Sequence, residues 1–325
     1  MSQQRSNKLF RRQALNFSYV KAGFPNLEVS PDIPGMVPCP LCFQTFLLET
    51  YGHDLISKEH APPKGFGGKI VCITCKDCNN RHGSTLDRPL RDYYHVVQSL
   101  SGSSTRSLDA DVCLPDSSRI RVEFNVPENG KWQISPIVKA SDPVHLDKMN
   151  HMFIQASTPP YEDISFTLRV LQPHDRIVRV ALLRVAYLLA FGHFGYGFVV
   201  NPALNYARAL FRHPDDENLY PHGVIFNASI DDQFLGASII TQPQGMRAYL
   251  VTFDLFDGEK AIDRIGVVLP GWMPNPLKLY DFLDSIHGTQ VEMKLHKIVD
   301  AIDFYLEAPF AALDHWNSLF AESEP

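Results

Sequence analysis

Two cysteine pairs, Cys39-Pro-Leu-Cys42 and Cys75-Lys-Asp-Cys78, constrain this chain more than any other feature of its sequence. Each C-x2-C suits a tight turn that aims two thiolates at one ion, and two such turns complete the tetrahedral shell of a structural zinc. Pro38 and Pro40 stiffen the first turn. A redox dithiol would account for one pair and not both, and it stays the competing reading beside coincidence. A four-thiolate shell has no open coordination position, so such a zinc holds the fold and does no chemistry. Cys72 and Cys113 are expected to pack as small apolar residues.

The chain has 325 residues, 45% of them hydrophobic and 20% charged, which suits a folded protein of about two domains. Its net charge of −6 is uneven: residues 1–98 hold 12 Lys and Arg against 8 Asp and Glu, and the remainder 18 against 28. The N-terminal part can approach a polyanion, whereas the acidic remainder should not wrap DNA by itself. The basic N-terminus lacks the apolar run of a secretory signal, so a cytoplasmic location is expected. Val185–Ala207 lacks Asp, Glu, Lys and Arg, but it holds His193, Pro202 and three glycines. With Arg176, Arg179 and Arg184 just upstream, a buried helix and no membrane span is expected.

Between the cysteine pairs the chain reads Glu59-His60-Ala-Pro62-Pro63-Lys64-Gly-Phe-Gly67-Gly68-Lys69, then an apolar run Ile70–Thr74 with the look of a short strand. Cys78-Asn79-Asn80-Arg81-His82-Gly83-Ser84 and Leu86-Asp87 follow. This order of carboxylate-His, Pro, Gly-Gly, strand, C-x-x-C-N and Gly-Ser resembles the HNH endonucleases, in particular their zinc-containing four-cysteine bacterial branch, and covers residues 36–88. The resemblance implies an α+β fold: a ββα-metal HNH nuclease domain braced by the four-cysteine zinc knuckle, with an α+β accessory domain after it. It places Glu59 and Asn79 as ligands of a catalytic Mg2+ or Mn2+ and His60 as the general base that deprotonates water. Lys64, Arg81 and His82 are candidates to hold substrate phosphates, with exposed surface histidine the plainer reading of His82; His53 is a weaker candidate. The family's middle motif residue, an Asn that orients the histidine, falls here on Ile70, so carbonyls of the Gly67-Gly68 turn are expected to take over that role.

Ser84–Leu100 is predicted as a helix capped by Ser84, and the polar cluster 101–105 as the boundary between a nuclease domain, 1–100, and the accessory domain, 106–325. A hairpin over Asp111–Val126 and a strand over Lys131–Val138 should follow, then a long helix over Pro173–Phe194 with Ile177, Val180, Ala181, Val185 and Leu188 on one face. Strands are predicted at Gly223–Ala228, Ser238–Gln242, Met246–Phe253 and Ile265–Val268, and a helix near Pro276–Ile286. His174-Asp175, His213 to Glu217 and His222 have metal-binding side chains, but their irregular spacing favours a structural or solvated role. The activity expected is hydrolysis of nucleic acid, DNA before RNA, with a homodimer or protein partner through the C-terminal domain. The alternative is a non-catalytic zinc module that binds nucleic acid or protein, and a third reading is a latent nuclease switched on through residues 106–325.

Overall fold

A computed structural model of the chain describes residues 2–24, 27, 33–47, 55–102, 107–127, 132–158, 166–170, 174–243, 246, 248–273, 275–286 and 291–297. It opens with a helix the sequence reading did not anticipate, α1 (Ser2–Gly23). Then come two hairpins, β1 (Val37–Pro38) with β2 (Thr45–Phe46) and β3 (Ile56–Ala61) with β4 (Lys69–Cys75). The helix α2 (Lys76–His82), a π turn over Gly83–Asp87 and the helix α3 (Arg88–Leu100) follow. Ser84 is therefore no cap: its hydroxyl donates back to the carbonyls of Asn80 and Arg81, while Cys75 occupies the N-cap of α2.

Strands β5 (Leu108–Cys113), β6 (Arg119–Asn125) and β7 (Gln133–Pro136), helix α4 (Pro143–Ser157) and strand β8 (Thr167–Val170) come next. Asp142 caps α4, accepting from Val144 N at 2.8 Å, and Pro143 supplies the preset φ of a first helical turn. The rest comprises α5 (Asp175–Phe194), α6 (Tyr196–Val199), α7 (Asn205–Arg212), β9 (Val224–Ile225), β10 (Gly236–Gln242), β11 (Ala248–Asp257), β12 (Lys260–Pro270), α8 (Leu277–Ser285) and β13 (Lys294–Lys297). The predicted hairpin, the later strands and the last helix lie close to these elements.

The chain divides into a discontinuous unit, Met1–Asp87 with Asp175–Pro325, and an inserted unit, Arg88–His174. This corrects the expected boundary at 101–105: Val96 on α3 belongs to the same core as Leu108, Val112 and Phe124 of the inserted unit. Residues 106–325 are accordingly not one accessory domain. In the inserted unit the sheet order is β7-β6-β5-β8, all antiparallel, and the alternation along β5 and β6 turns Leu108, Ala110, Val112, Ile120, Val122 and Phe124 onto Met149 of α4.

The discontinuous unit is built around α5, which packs on β3 and β4 and also on the antiparallel sheet β13-β10-β11-β12-β9. Contacts on so many sides bury nearly every residue from Val180 to Phe191, so the single apolar face expected of this helix is a helix apolar all round. Among the described residues α5 is also the one helix long and apolar enough to cross a membrane, and most of it is buried inside the protein. The β11–β12 hairpin turns on Gly258, whose φ of +62° suits the first central position of a two-residue turn. Downstream, the Arg176 guanidinium gathers the carbonyls of Pro214, Asp216 and Leu219, and so shapes the loop that carries His213 to Glu217.

Candidate metal centre

The first cysteine pair sits at the turn of the β1–β2 hairpin, where Cys39 N donates to Gln44 O at 2.7 Å and Phe43 N to Cys39 O at 2.8 Å. Closing that turn puts Phe43 at φ +63°, a conformation that side chains with a Cβ adopt with strain. The Arg208 guanidinium lies 4.8 Å from the Phe43 ring centroid and holds it there. The second pair spans the end of β4 and the first turn of α2, with Cys78 N donating to Cys75 Sγ at 3.3 Å.

These turns bring the sulfurs of Cys39, Cys42, Cys75 and Cys78 within 4.8 Å of one another. The Cys42–Cys75 sulfur separation is 3.7 Å. A tetrahedron of zinc–sulfur bonds of about 2.3 Å has edges of about 3.8 Å, so the donor set fits zinc in number, chemistry and spacing. Hydrogen bonds from the other three thiols hold the Cys42 thiol far below its usual range, and burial pushes Cys39 well above its own. Four sulfurs gathered this closely form a set that a dication would hold as thiolates. Among the described residues no other group of three or more His, Cys, Asp or Glu side chains gathers in this way.

Residues distant in sequence support the cysteines. Tyr187 of α5 donates to Pro40 O at 2.8 Å and Tyr196 of α6 donates to Pro38 O, which fixes both prolines of the knuckle. On α1 the buried Gln13 accepts from Ile73 N at 2.6 Å and donates to Ile73 O at 3.3 Å, so a side-chain amide closes the free edge of β4. Asn16, equally buried, accepts from Tyr196 N at 2.7 Å and lies where a Cβ on Gly195 would come within 2.4 Å of it.

The residues expected to do chemistry are distributed around the β3–β4 hairpin. Glu59 is 2% exposed; its carboxylate pairs with the fully buried Arg184 of α5 and accepts from Thr74 Oγ1 at 3.2 Å. Arg184 also reaches Asp87 of the π turn at 2.8 Å. Burial raises the Glu59 carboxyl above its usual range against the pull of Arg184. Asn79 donates its amide to Ser57 Oγ, and Ser57 lies opposite Thr74 in the hairpin register. Ser57 and Glu59, two residues apart on one strand, share a face, so Glu59 and Asn79 lie on the same side of the hairpin. They do not make a shared cation site, because the Glu59 carboxylate is already spent on Arg184 and Thr74.

His60, next along the strand, belongs by alternation to the opposite face. The register shifts there, with Glu59 opposite Cys72 and His60 opposite Ile70, which leaves Val71 as a bulge. His60 is half-buried and its side chain has no hydrogen bond among the described residues; burial, Lys64 and Lys58 all lower its pKa. The expected orienting carbonyls of Gly67 and Gly68 are thus not its partners. Gly67 instead takes φ +78° against Phe256, and a Cβ on Gly68 would lie 1.5 Å from Pro62 O.

Lys64 and Arg81 are exposed, with Arg81 Nη2 3.7 Å from Cys78 Sγ. His82 is neither on the surface nor placed to hold phosphate: it is 1% exposed, with Nε2 3.2 Å from Phe211 O, and burial lowers its pKa to about 3. Cys72 is buried as expected, whereas Cys113 is half-buried beside a cavity. His222 pairs with Asp284 at 2.9 Å, and His53 lies outside the described residues. Comparison of the chain with protein families, with curated proteins and with solved structures finds no match.

Proposed function

We propose that the β3–β4 hairpin and α2 form a nucleic-acid-hydrolysing site of HNH type, braced by zinc on Cys39, Cys42, Cys75 and Cys78. The observation that carries this reading is the setting of His60: a half-buried imidazole on the hairpin face opposite Glu59, without a hydrogen bond among the described residues, where burial, Lys64 and Lys58 lower its pKa. A neutral imidazole accepts a proton from water, and ammonium groups beside it favour the phosphodiester that the water attacks. Lys64 and Arg81 hold backbone phosphates in this reading. The zinc supplies rigidity and no reactive position.

The ligand set for Mg2+ or Mn2+ is narrower than the resemblance implies. Glu59 is assigned to the scaffold through Arg184, which leaves the Asn79 amide oxygen as the protein's hard donor. The cation's contribution is to offset charge on the phosphate. The test is nicking of supercoiled plasmid DNA with Mg2+ or Mn2+ by the wild-type chain and by His60→Ala, with zinc measured in both. Removal of a general base is expected to slow nicking by about 10²- to 10⁴-fold at unchanged zinc content. Wild-type nicking by His60→Ala would overturn the assignment.

Capture of Glu59 by Arg184 favours a second reading, a zinc-braced module that binds nucleic acid without cutting it. Oligonucleotide binding by the wild-type chain, with no nicking under either cation, selects that reading.

A further inference from the structure

The inserted unit turns one face of its sheet onto α3 and α4 and presents the other to solvent. On the outer face β5 lies between β6 and β8, so Cys113 is flanked by Arg119 and Thr167, and Asp111 by Arg121 and Arg169. Asp111 is committed to Arg121, Nε to Oδ1 2.7 Å, and nearby Asp116 to Lys148 at 2.5 Å. The exposed side chains of Arg119 and Arg169 have neither a hydrogen bond nor an ion pair among the described residues. Both line one cavity of about 410 Å3 together with Ser117, Thr167 and Cys113.

Charge on this face is segregated rather than mixed. At one end Arg119, Arg121 and Arg169 lie around a single carboxylate, Asp111, which Arg121 alone engages, while Asp109 and Glu123 face each other at the other end. Cations gathered on one face with a single paired carboxylate among them favour a bound anion. Guanidinium forks match the oxygens of a phosphate, and the Ser117 and Thr167 hydroxyls add donors to the same cavity. We infer that the cavity between Arg119 and Arg169 binds a phosphate group, supplied by a nucleic-acid backbone or by a small phosphate ligand. The site shares no residue with the one under Proposed function and stands independently of it.

The test uses the full chain carrying His60→Ala, without divalent cations, so that cutting plays no part. Its probes are a fluorescent oligonucleotide, a nucleoside monophosphate and inorganic phosphate. The further double variant Arg119→Ala/Arg169→Ala is expected to lose about tenfold in affinity for the probe that binds, and for duplex DNA about 1.8 of the salt slope, two phosphate contacts' worth. Arg119→Lys/Arg169→Lys keeps the charge but not the fork, and should recover the salt slope with part of the affinity. Tighter binding of the oligonucleotide assigns the phosphate to a polymer; equal binding of the small probes assigns it to a free ligand. Affinities for all three probes unchanged in the double alanine variant, at a retained thermal midpoint, overturn the inference.

Discussion

Arg184 and His82 are the residues whose burial has the largest chemical consequences. Arg184 is a cation without solvent, set between Glu59 and Asp87. Removing one partner of such a group leaves the others unpaired inside the protein. Arg184→Met should therefore cost about 3–5 kcal/mol in urea unfolding, far more than Arg88→Met, whose partner Asp92 is solvated at 3.8 Å. His82 lies buried and neutral, with a pKa lowered to about 3. The unfolded chain takes up a proton on this side chain below about pH 6.5 while the folded chain does not. Its contribution is whole above that pH and is lost as the pH falls toward 3. His82→Asn should flatten the loss by up to about 4 kcal/mol, read as the difference between variant and wild type, in which acid release of zinc cancels. A parallel acid limb in both proteins would refute the assignment. The cysteines were legible in the sequence because their geometry is local, four residues to a turn. Arg184 was not, since its partner Glu59 lies 125 residues away and an arginine in an apolar helix reads equally well as a surface residue.

The β3–β4 hairpin depends on a close approach that only one side chain permits. A Cβ on Gly68 would stand 1.5 Å from the Pro62 carbonyl, whereas one on Gly65 meets nothing within 4 Å. Gly68→Ala should cost more than about 2 kcal/mol and Gly65→Ala change stability by less than about 1 kcal/mol, measured as thermal midpoints. Equal midpoints would mean that the turn relaxes freely. In sequence the Gly-Gly pair reads as a turn, but which glycine bears the constraint depends on where Pro62 is placed. Periodicity made α3, α5, α8, strands β4 to β7 and strands β9 to β12 readable, whereas α1, α4, α7, β8 and β13 were not anticipated. On α1 the polar Gln13 and Asn16 break the apolar pattern, because their amides are spent on β4 and Tyr196. On α5 the apolar residues fill every side, because both sides of the helix are covered.

At the scale of the whole molecule, the two stretches that form the larger unit are separated by the inserted unit, so a sequence boundary drawn on composition cuts through a single core. Residues 1–100 hold all four cysteines and the hairpin, yet Arg184, Tyr187, Tyr196 and Arg208, which hold Glu59, Pro40, Pro38 and Phe43, come from beyond the insertion. A fragment of residues 1–100 would leave the buried Glu59 without its cation and the knuckle without its tyrosines, and is expected to be insoluble or rapidly proteolysed even with zinc. Residues 88–174 carry their own apolar core from α3, α4 and the sheet, and should fold alone with a cooperative thermal transition. In the full chain Cys75→Ser should release zinc and expose the larger unit to protease, because the metal's binding energy is part of its folding energy. Protease should leave the inserted unit behind as a resistant fragment, which mass spectrometry of the digest can identify. Loss of both units together would show that their folding is coupled, and a soluble, zinc-loaded 1–100 fragment would restore the simpler boundary.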